Sequence, residues 1–172
     1  LGMGGREMAA AGVDIVYDIK NLGVIGVGEI IRKIPFFFRL RDFLVDTMRR
    51  EKPDVLVCID YPGFNLKIAQ YTREQGYRNF YYISPQVWAW KQGRLKSMRR
   101  DIYNLCYILP SERKFYSEVD FPQAIYVGHP LLDEVKNYRD KAMATTADPA
   151  AQTPLPTIAL LPGSRRQALR KT

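Results

Sequence analysis

Histidine and cysteine are scarce: the sequence holds one histidine, His129, and two cysteines, Cys58 and Cys106. No Cys/His cluster with metal-ligand spacing exists, so no metal site is expected. Both cysteines lie inside apolar runs, Val55-Leu-Val-Cys-Ile59 and Asn104-Leu-Cys-Tyr-Ile108, where a free thiol behaves as a small hydrophobe. They read as reduced core residues, which favours a reducing compartment. Also absent is any apolar run near the roughly 18–20 residues that a membrane-spanning helix needs. Nothing is therefore expected to cross a bilayer, and no basic segment followed by an apolar one marks a secretory signal. The 12 glycines include no Gly-x-Gly-x-x-Gly fingerprint, Gly23-Val-Ile-Gly-Val-Gly28 being out of register with it. P-loop spacing and its lysine are missing too, so neither a dinucleotide cofactor nor a P-loop is expected. Nor is there a Ser/His/Asp set at a nucleophile elbow, which argues against a hydrolase.

Acidic residues are the remaining shortage, 18 against 26 lysines and arginines, for a formal charge of +8. That imbalance calls for an acidic partner: nucleic acid, an anionic membrane surface or a phosphorylated ligand. Otherwise the composition is globular, with 47% of the 172 residues hydrophobic and 26% charged, enough for about one domain of about 100–200 residues.

From Asp54 onward short apolar runs alternate with amphipathic segments, the signature of βα units and a parallel α/β sheet. Asp54 to Ile59 is near-continuously apolar and is expected as a strand covered on both faces. Asn65 is placed to cap a helix that carries Leu66, Ile68, Ala69 and Tyr71 and closes at Gly76. Strands are predicted at 79–83, 104–109 and 124–127, separated by a polar helix around 93–100 and a helix capped by Ser111. Upstream, Pro35 suits the first turn of a helix in which Phe37, Leu40, Leu44 and Met48 share a face. Small residues and prolines after Tyr138 mark a linker, and 157–161 reads as the strand that opens another α/β domain. The predicted organisation is a first domain over 1–144, a linker over 145–156 and the beginning of a second domain over 157–172.

Six segments carry candidate chemistry. Phe36, Phe37 and Phe38, bracketed by Arg32, Lys33, Arg39 and Arg41, either line a core-facing helix or form a basic aromatic surface for a membrane interface or acyl chains. Asp60 follows the first strand, at the sheet edge where open parallel sheets bind ligands. It is read either as a general base on a hydroxyl or as a cap on nearby backbone N–H groups. Ser84-Pro-Gln-Val-Trp-Ala-Trp90 lies on the same edge and holds both tryptophans, whose rings stack on sugars or acyl chains when they are not core. Lys91, Arg94, Lys96, Arg99 and Arg100 follow it, as a solvated face or a phosphate contact. His129, after Gly128 and before Pro130, and Pro162-Gly163-Ser164-Arg165-Arg166, at a strand–helix junction suited to anions, complete the set.

Taken together, Ile59-Asp-Tyr-Pro-Gly-Phe-Asn65, Tyr82-Ile-Ser-Pro-Gln-Val-Trp-Ala-Trp90, Ile108-Leu-Pro-Ser-Glu112, Tyr126-Val-Gly-His-Pro-Leu131 and Leu160-Leu-Pro-Gly-Ser-Arg165 resemble the lipid-A-disaccharide synthases. Met3 to Val13 is similar to an early segment of the same family. The resemblance implies the N-terminal Rossmann-like domain of a two-domain GT-B glycosyltransferase, with the start of its second domain. Implied chemistry is transfer of 2,3-diacylglucosamine from its UDP derivative to 2,3-diacylglucosamine 1-phosphate. The products are the β-1,6-linked lipid A disaccharide 1-phosphate and UDP, and no cofactor is used. Asp60 matches the first aspartate of the family's loop and is the implied base; Gly63 stands where many members carry a second acid. Asn65, Ser84, Gln86, Trp88 and His129 are implied to line the cleft, and Arg165 to meet the nucleotide diphosphate or the acceptor phosphate, with Gly163 and Ser164 shaping the turn. Phe36, Phe37, Phe38, Arg39 and Arg41 would meet acyl chains or the inner-membrane surface, for a cytoplasmic, peripheral protein of a Gram-negative bacterium with no nucleic-acid partner. Against the family pattern, an opening strand and nearly all of the second domain are missing, so the chain is expected to be roughly half of the enzyme and inactive alone. The competing expectations are another GT-B enzyme acting on a UDP-sugar, or a basic module binding anionic membrane or nucleic acid.

Overall fold

In the computed structural model, which describes residues 1–22 and 34–145, the alternation resolves into βα units. The first part contains β1 (Gly2–Gly4), α1 (Arg6–Ala10), β2 (Ile15–Asp18) and α2 (Ile34–Glu51). There follow β3 (Val55–Ile59), α3 (Pro62–Glu74), β4 (Arg78–Tyr82), α4 (Arg94–Asp101), β5 (Asn104–Tyr107), α5 (Glu112–Glu118), β6 (Ala124–Tyr126) and α6 (Leu131–Thr145). β1 and β2 form a parallel pair, and β3 to β6 form a four-stranded parallel sheet in chain order. The expected α/β class with parallel strands is therefore present. The chain divides into two units, Leu1–His129 and Pro130–Thr172. In the second, α6 exposes Leu132, Val135 and Tyr138. The expected linker beyond Thr145 and the strand at 157–161 lie outside the described residues.

The sheet's core is built from one side of each strand. Cys58, Tyr81, Leu105 and Tyr107 join Met98 and Ile102 from the end of α4, Tyr116 from α5, and Val87 and Phe121 from loops. A second cluster of Leu40, Phe64 and Ile68 draws in Met3, Tyr17, Phe36, Phe37, Leu44 and Leu56. It seats α2 through the face expected from Phe37, Leu40, Leu44 and Met48. Asn79, buried in the core, is fully engaged: its Nδ2 donates to the Ala69 and Asp101 carbonyls at 2.6 and 2.8 Å, and its Oδ1 accepts from the Thr72 hydroxyl at 2.8 Å.

Four expectations need correction. β3 is not covered on both faces: Leu56 and Cys58 face the core, whereas Val55, Val57 and Ile59 are 41%, 56% and 47% exposed. The physical reason is topological. Strands added successively in one direction, with crossovers of one hand, place their connecting helices on one side of the sheet. Cys106, paired in the same row as Ile59 and Tyr82, accordingly sits half-buried on the open side rather than in the core. Asn65 does not cap α3, which begins earlier, at Pro62, with Tyr61 before it; its amide instead donates backwards to the carbonyls of Ile59 and Asp60, at 3.1 and 2.7 Å. Ser111 also precedes its helix without a side-chain capping bond. Glu112 performs a related task by accepting the Leu109 N–H at 3.0 Å, a three-residue return like that of a capping box.

Candidate active site at the carboxyl edge of the sheet

Parallel register brings four loops to one edge. Ile59, Tyr82, Cys106 and Ile125 pair across the sheet, so the residues that follow them leave from neighbouring positions. The ladder runs on into the loops: Asp60 N–H donates to the Tyr82 carbonyl, Ser84 N–H to Cys106 and Val127 N–H to Tyr107, at 2.9, 3.0 and 3.1 Å. Asp60, the Ser84–Trp90 loop, the Ile108–Glu112 turn and Gly128–His129 thus share the edge at which open α/β sheets take ligands.

Asp60 is exposed, and no described residue hydrogen-bonds its carboxylate. The reading of this side chain as a cap on backbone N–H groups is therefore not what the structure holds. Its backbone, by contrast, is fixed: the carbonyl accepts from Asn65 Nδ2 at 2.7 Å and from the Tyr81 hydroxyl at 2.6 Å. Burial pushes the Tyr81 hydroxyl's pKa up, and the charges of Cys58 and Asp60 add to the rise, so Tyr81 keeps the proton that it donates here. Asp60 and Tyr61 both take positive φ, 45° and 48°, a region costly for residues other than glycine. Ile83, a β-branched residue, is held at φ 65° before the tryptophan loop, and Lys91 at 58° after it. Such strain persists where surrounding contacts over-determine it, and it collects at functional sites.

The tryptophan loop has a buried foot and an exposed rim. Ser84, Pro85 and Val87 are buried, while Gln86, Trp88 and Trp90 are exposed, the two indoles by 42% and 56%. Neither tryptophan is core. Lys91 Nζ and Arg94 Cζ lie 4.4 and 5.8 Å from the centre of the Trp90 ring. Ser84 shares a hydrogen bond with the hydroxyl of Tyr116, whose pKa burial lifts to about 12. His129 is half-buried beside Gly128, whose φ of 82° requires the missing side chain.

Two residues that the sequence reading gave no role stand under this edge. Tyr81 fixes Asp60 from inside β4, and Glu112 lies beneath the tryptophan loop with only 2% exposure. A strand tyrosine carries no signal of that kind; Glu112 carried one, the acid three residues after Leu109, which is the spacing of a side chain returning to a backbone N–H.

The phenylalanine run is divided. Phe36 and Phe37 pack into the core, Phe37 with its ring 5.7 Å from that of Phe64. Phe38 is 53% exposed, with Arg41 Cζ 5.0 Å from its ring centre, and Arg39 is exposed beside it. Gly163, Ser164 and Arg165 lie outside the described residues. At the opposite, amino-terminal edge a cavity of about 380 Å³ is lined by Arg73, Arg78, Arg99 and Arg100. Structural partners already engage most of these: Arg99 donates to the Val119 carbonyl, Arg100 forks onto Asp101, and Arg78 stacks on Tyr103.

A family model described as lipid-A-disaccharide synthetase matches residues 1–172. The chain belongs to the lipid-A-disaccharide synthetase family. Curated relatives named lipid-A-disaccharide synthase agree: the Alcanivorax borkumensis protein is 41% identical over 165 residues, covering 96% of this chain and 43% of the relative. Those of Chromohalobacter salexigens and Myxococcus xanthus are 38% and 36% identical, over 98% and 99% of this chain and 43% and 44% of their own lengths. The chain spans less than half the length of these relatives.

Proposed function

We propose that the whole protein carrying this chain is an inverting glycosyltransferase that moves 2,3-diacylglucosamine from its UDP derivative onto 2,3-diacylglucosamine 1-phosphate. The observation that carries this reading is the family match along the full chain. An unengaged carboxylate, Asp60, at the ligand-binding edge supports it.

In this mechanism Asp60 takes the proton of the acceptor hydroxyl as its oxygen attacks the anomeric carbon, opposite the diphosphate. The bond from that carbon to the diphosphate oxygen breaks, the electron pair leaves on UDP, and the α-linked donor becomes a β-linked product. Because Asn65 and Tyr81 clamp the Asp60 carbonyl, the backbone that carries the base is already ordered before substrate binds. Trp88 offers an exposed indole face to a sugar or acyl chain, and we assign Ser84, Gln86 and His129, which leave the same sheet edge, to the substrate as well. Gly163, Ser164 and Arg165 would receive a phosphate. Among the described residues no helix is long and apolar enough to cross a membrane. Phe38, with Arg41 above it, is the contact we assign to acyl chains or the inner-membrane surface on the cytoplasmic side. The chain alone, without the rest of the protein, is expected not to turn over.

The test is UDP release by the whole protein given UDP-2,3-diacylglucosamine, with and without 2,3-diacylglucosamine 1-phosphate. Acceptor-dependent release that falls by about 10²–10⁴ in Asp60→Asn, with folding intact, supports both parts. Release that survives the substitution moves the base elsewhere, and no acceptor-dependent release in the wild type sinks the activity.

A further inference from the structure

Glu112 is almost fully buried, yet its Oε1 has no hydrogen-bond partner among the described residues. The other carboxylate oxygen accepts the Leu109 N–H at 3.0 Å. Leaving half of a buried acid's acceptors unmatched is costly, and native structures keep few such atoms. What lies above it is the tryptophan loop. Glu112 and Tyr116 are four residues apart and share one face of α5. Tyr116 holds the loop's first residue, Ser84, and buried Val87 pins its middle. The Trp88 side chain reaches towards Glu112 closely enough to favour the ionised carboxylate, although burial outweighs it and raises the pKa overall. An indole has one polar group, a donor N–H, and a carboxylate oxygen without a partner is its natural acceptor. Hydrogen bonds at such sites are often loose before substrate binds and tighten afterwards.

We infer that Glu112 is a positioning residue for substrate: its Oε1 is the seat onto which the Trp88 indole N–H closes when the sugar or acyl chain loads the ring. Glu112 does not touch the reacting atoms. It fixes the angle of the aromatic wall that does the binding, and the inference rests on the glycosyl-transfer reading of this edge.

The test uses the whole protein with Glu112→Gln, which keeps the shape but turns one acceptor oxygen into an NH₂ group, and Trp88→Phe, which keeps a ring and removes the N–H. The Trp88 indole resonance, identified by its loss in Trp88→Phe, should move downfield when UDP-2,3-diacylglucosamine and the acceptor saturate the wild type. In Glu112→Gln it should lie upfield from the start and respond little. Each variant should raise KM about tenfold, the worth of one charge-assisted hydrogen bond, with kcat changed by less than about twofold. The double variant should be no worse than either single one, because both remove the same contact. An indole resonance indifferent to Glu112→Gln, or KM effects that multiply in the double variant, overturns the inference. If the wild type releases no UDP, the activity has failed; the substrate-free indole shift then decides separately whether Glu112 and Trp88 are paired. Should Glu112→Gln not fold, the substrate-induced indole shift in the wild type and the KM of Trp88→Phe decide it, an unmoved resonance or an unchanged KM counting against.

Discussion

The two faces of the β3–β6 sheet have nearly the same sequence character and opposite fates. On one, Cys58, Tyr81, Leu105 and Tyr107 are sealed under helices; on the other, Val57 and Ile125 are 56% and 46% exposed. Strand composition therefore does not decide which face is covered. Chain order does, because same-handed crossovers taken in one direction stack their helices on one side. The open side is apolar as well, with Val55, Ile59, Phe80 and Tyr82 alongside Val57 and Ile125, and the expectation of cover on both sides was a fair reading of those residues.

The sharpest way to break this comparison is through the cysteines, which sit on opposite faces. Burial pushes the Cys58 thiol up to about 12 and raises Cys106 as well. Cys106 should therefore react slowly with a thiol reagent at pH 8, and Cys58 only through unfolding. Pulsed alkylation read by mass spectrometry checks the order, and equal rates would mean that the packed face opens locally. Next in size, Leu105→Ala should cost about 3 kcal/mol in urea unfolding, as a buried leucine truncated in a tight core. Asn79→Ala should cost about 2 kcal/mol, since it strips partners from Thr72 and from two buried carbonyls. Glu112 adds a pH dependence. Because its folded pKa is raised by burial, its contribution is greatest below its unfolded value of about 4.5 and declines as pH rises through the folded value. Melting curves should thus show wild type losing ground to Glu112→Gln as pH rises. Smallest of all, Val57→Thr on the open face should change the stability of the 172-residue chain by under about 0.5 kcal/mol. A larger cost in the whole protein would show that something covers this face there.

Much of the fold was legible because strands announce themselves locally. The apolar runs at Val55 to Ile59 and Asn104 to Tyr107 became β3 and β5, and the α2 stripe of Leu40, Leu44 and Met48 turned inward as its spacing requires. What local pattern cannot carry is the partner of a side chain. Asn65 has the chemistry of a cap, but Pro62 starts α3 earlier and leaves its amide to tie down β3's end. Phe36 to Phe38 are identical in composition, and only the helix's rotation against Phe64 separates the two packed rings from the exposed one. Asp60 was readable from its place after a strand. Tyr81 and Glu112 were not given roles, since theirs arise from contacts made 21 residues upstream and with a loop of another βα unit.

The spatial order of β3 to β6 also bears on how the chain is made. Each strand after β3 pairs with the one synthesised just before it, so no strand of this sheet must wait for a distant partner. A chain emerging from the ribosome folds from its N-terminal parts forward, and near-neighbour pairing lowers the entropy that must be lost before contacts reward it. Val55 to Tyr82 can pair as soon as α3 is out, each later unit then docks on a finished edge, and the arrival of Tyr116 and Phe121 closes the core that the first strands began.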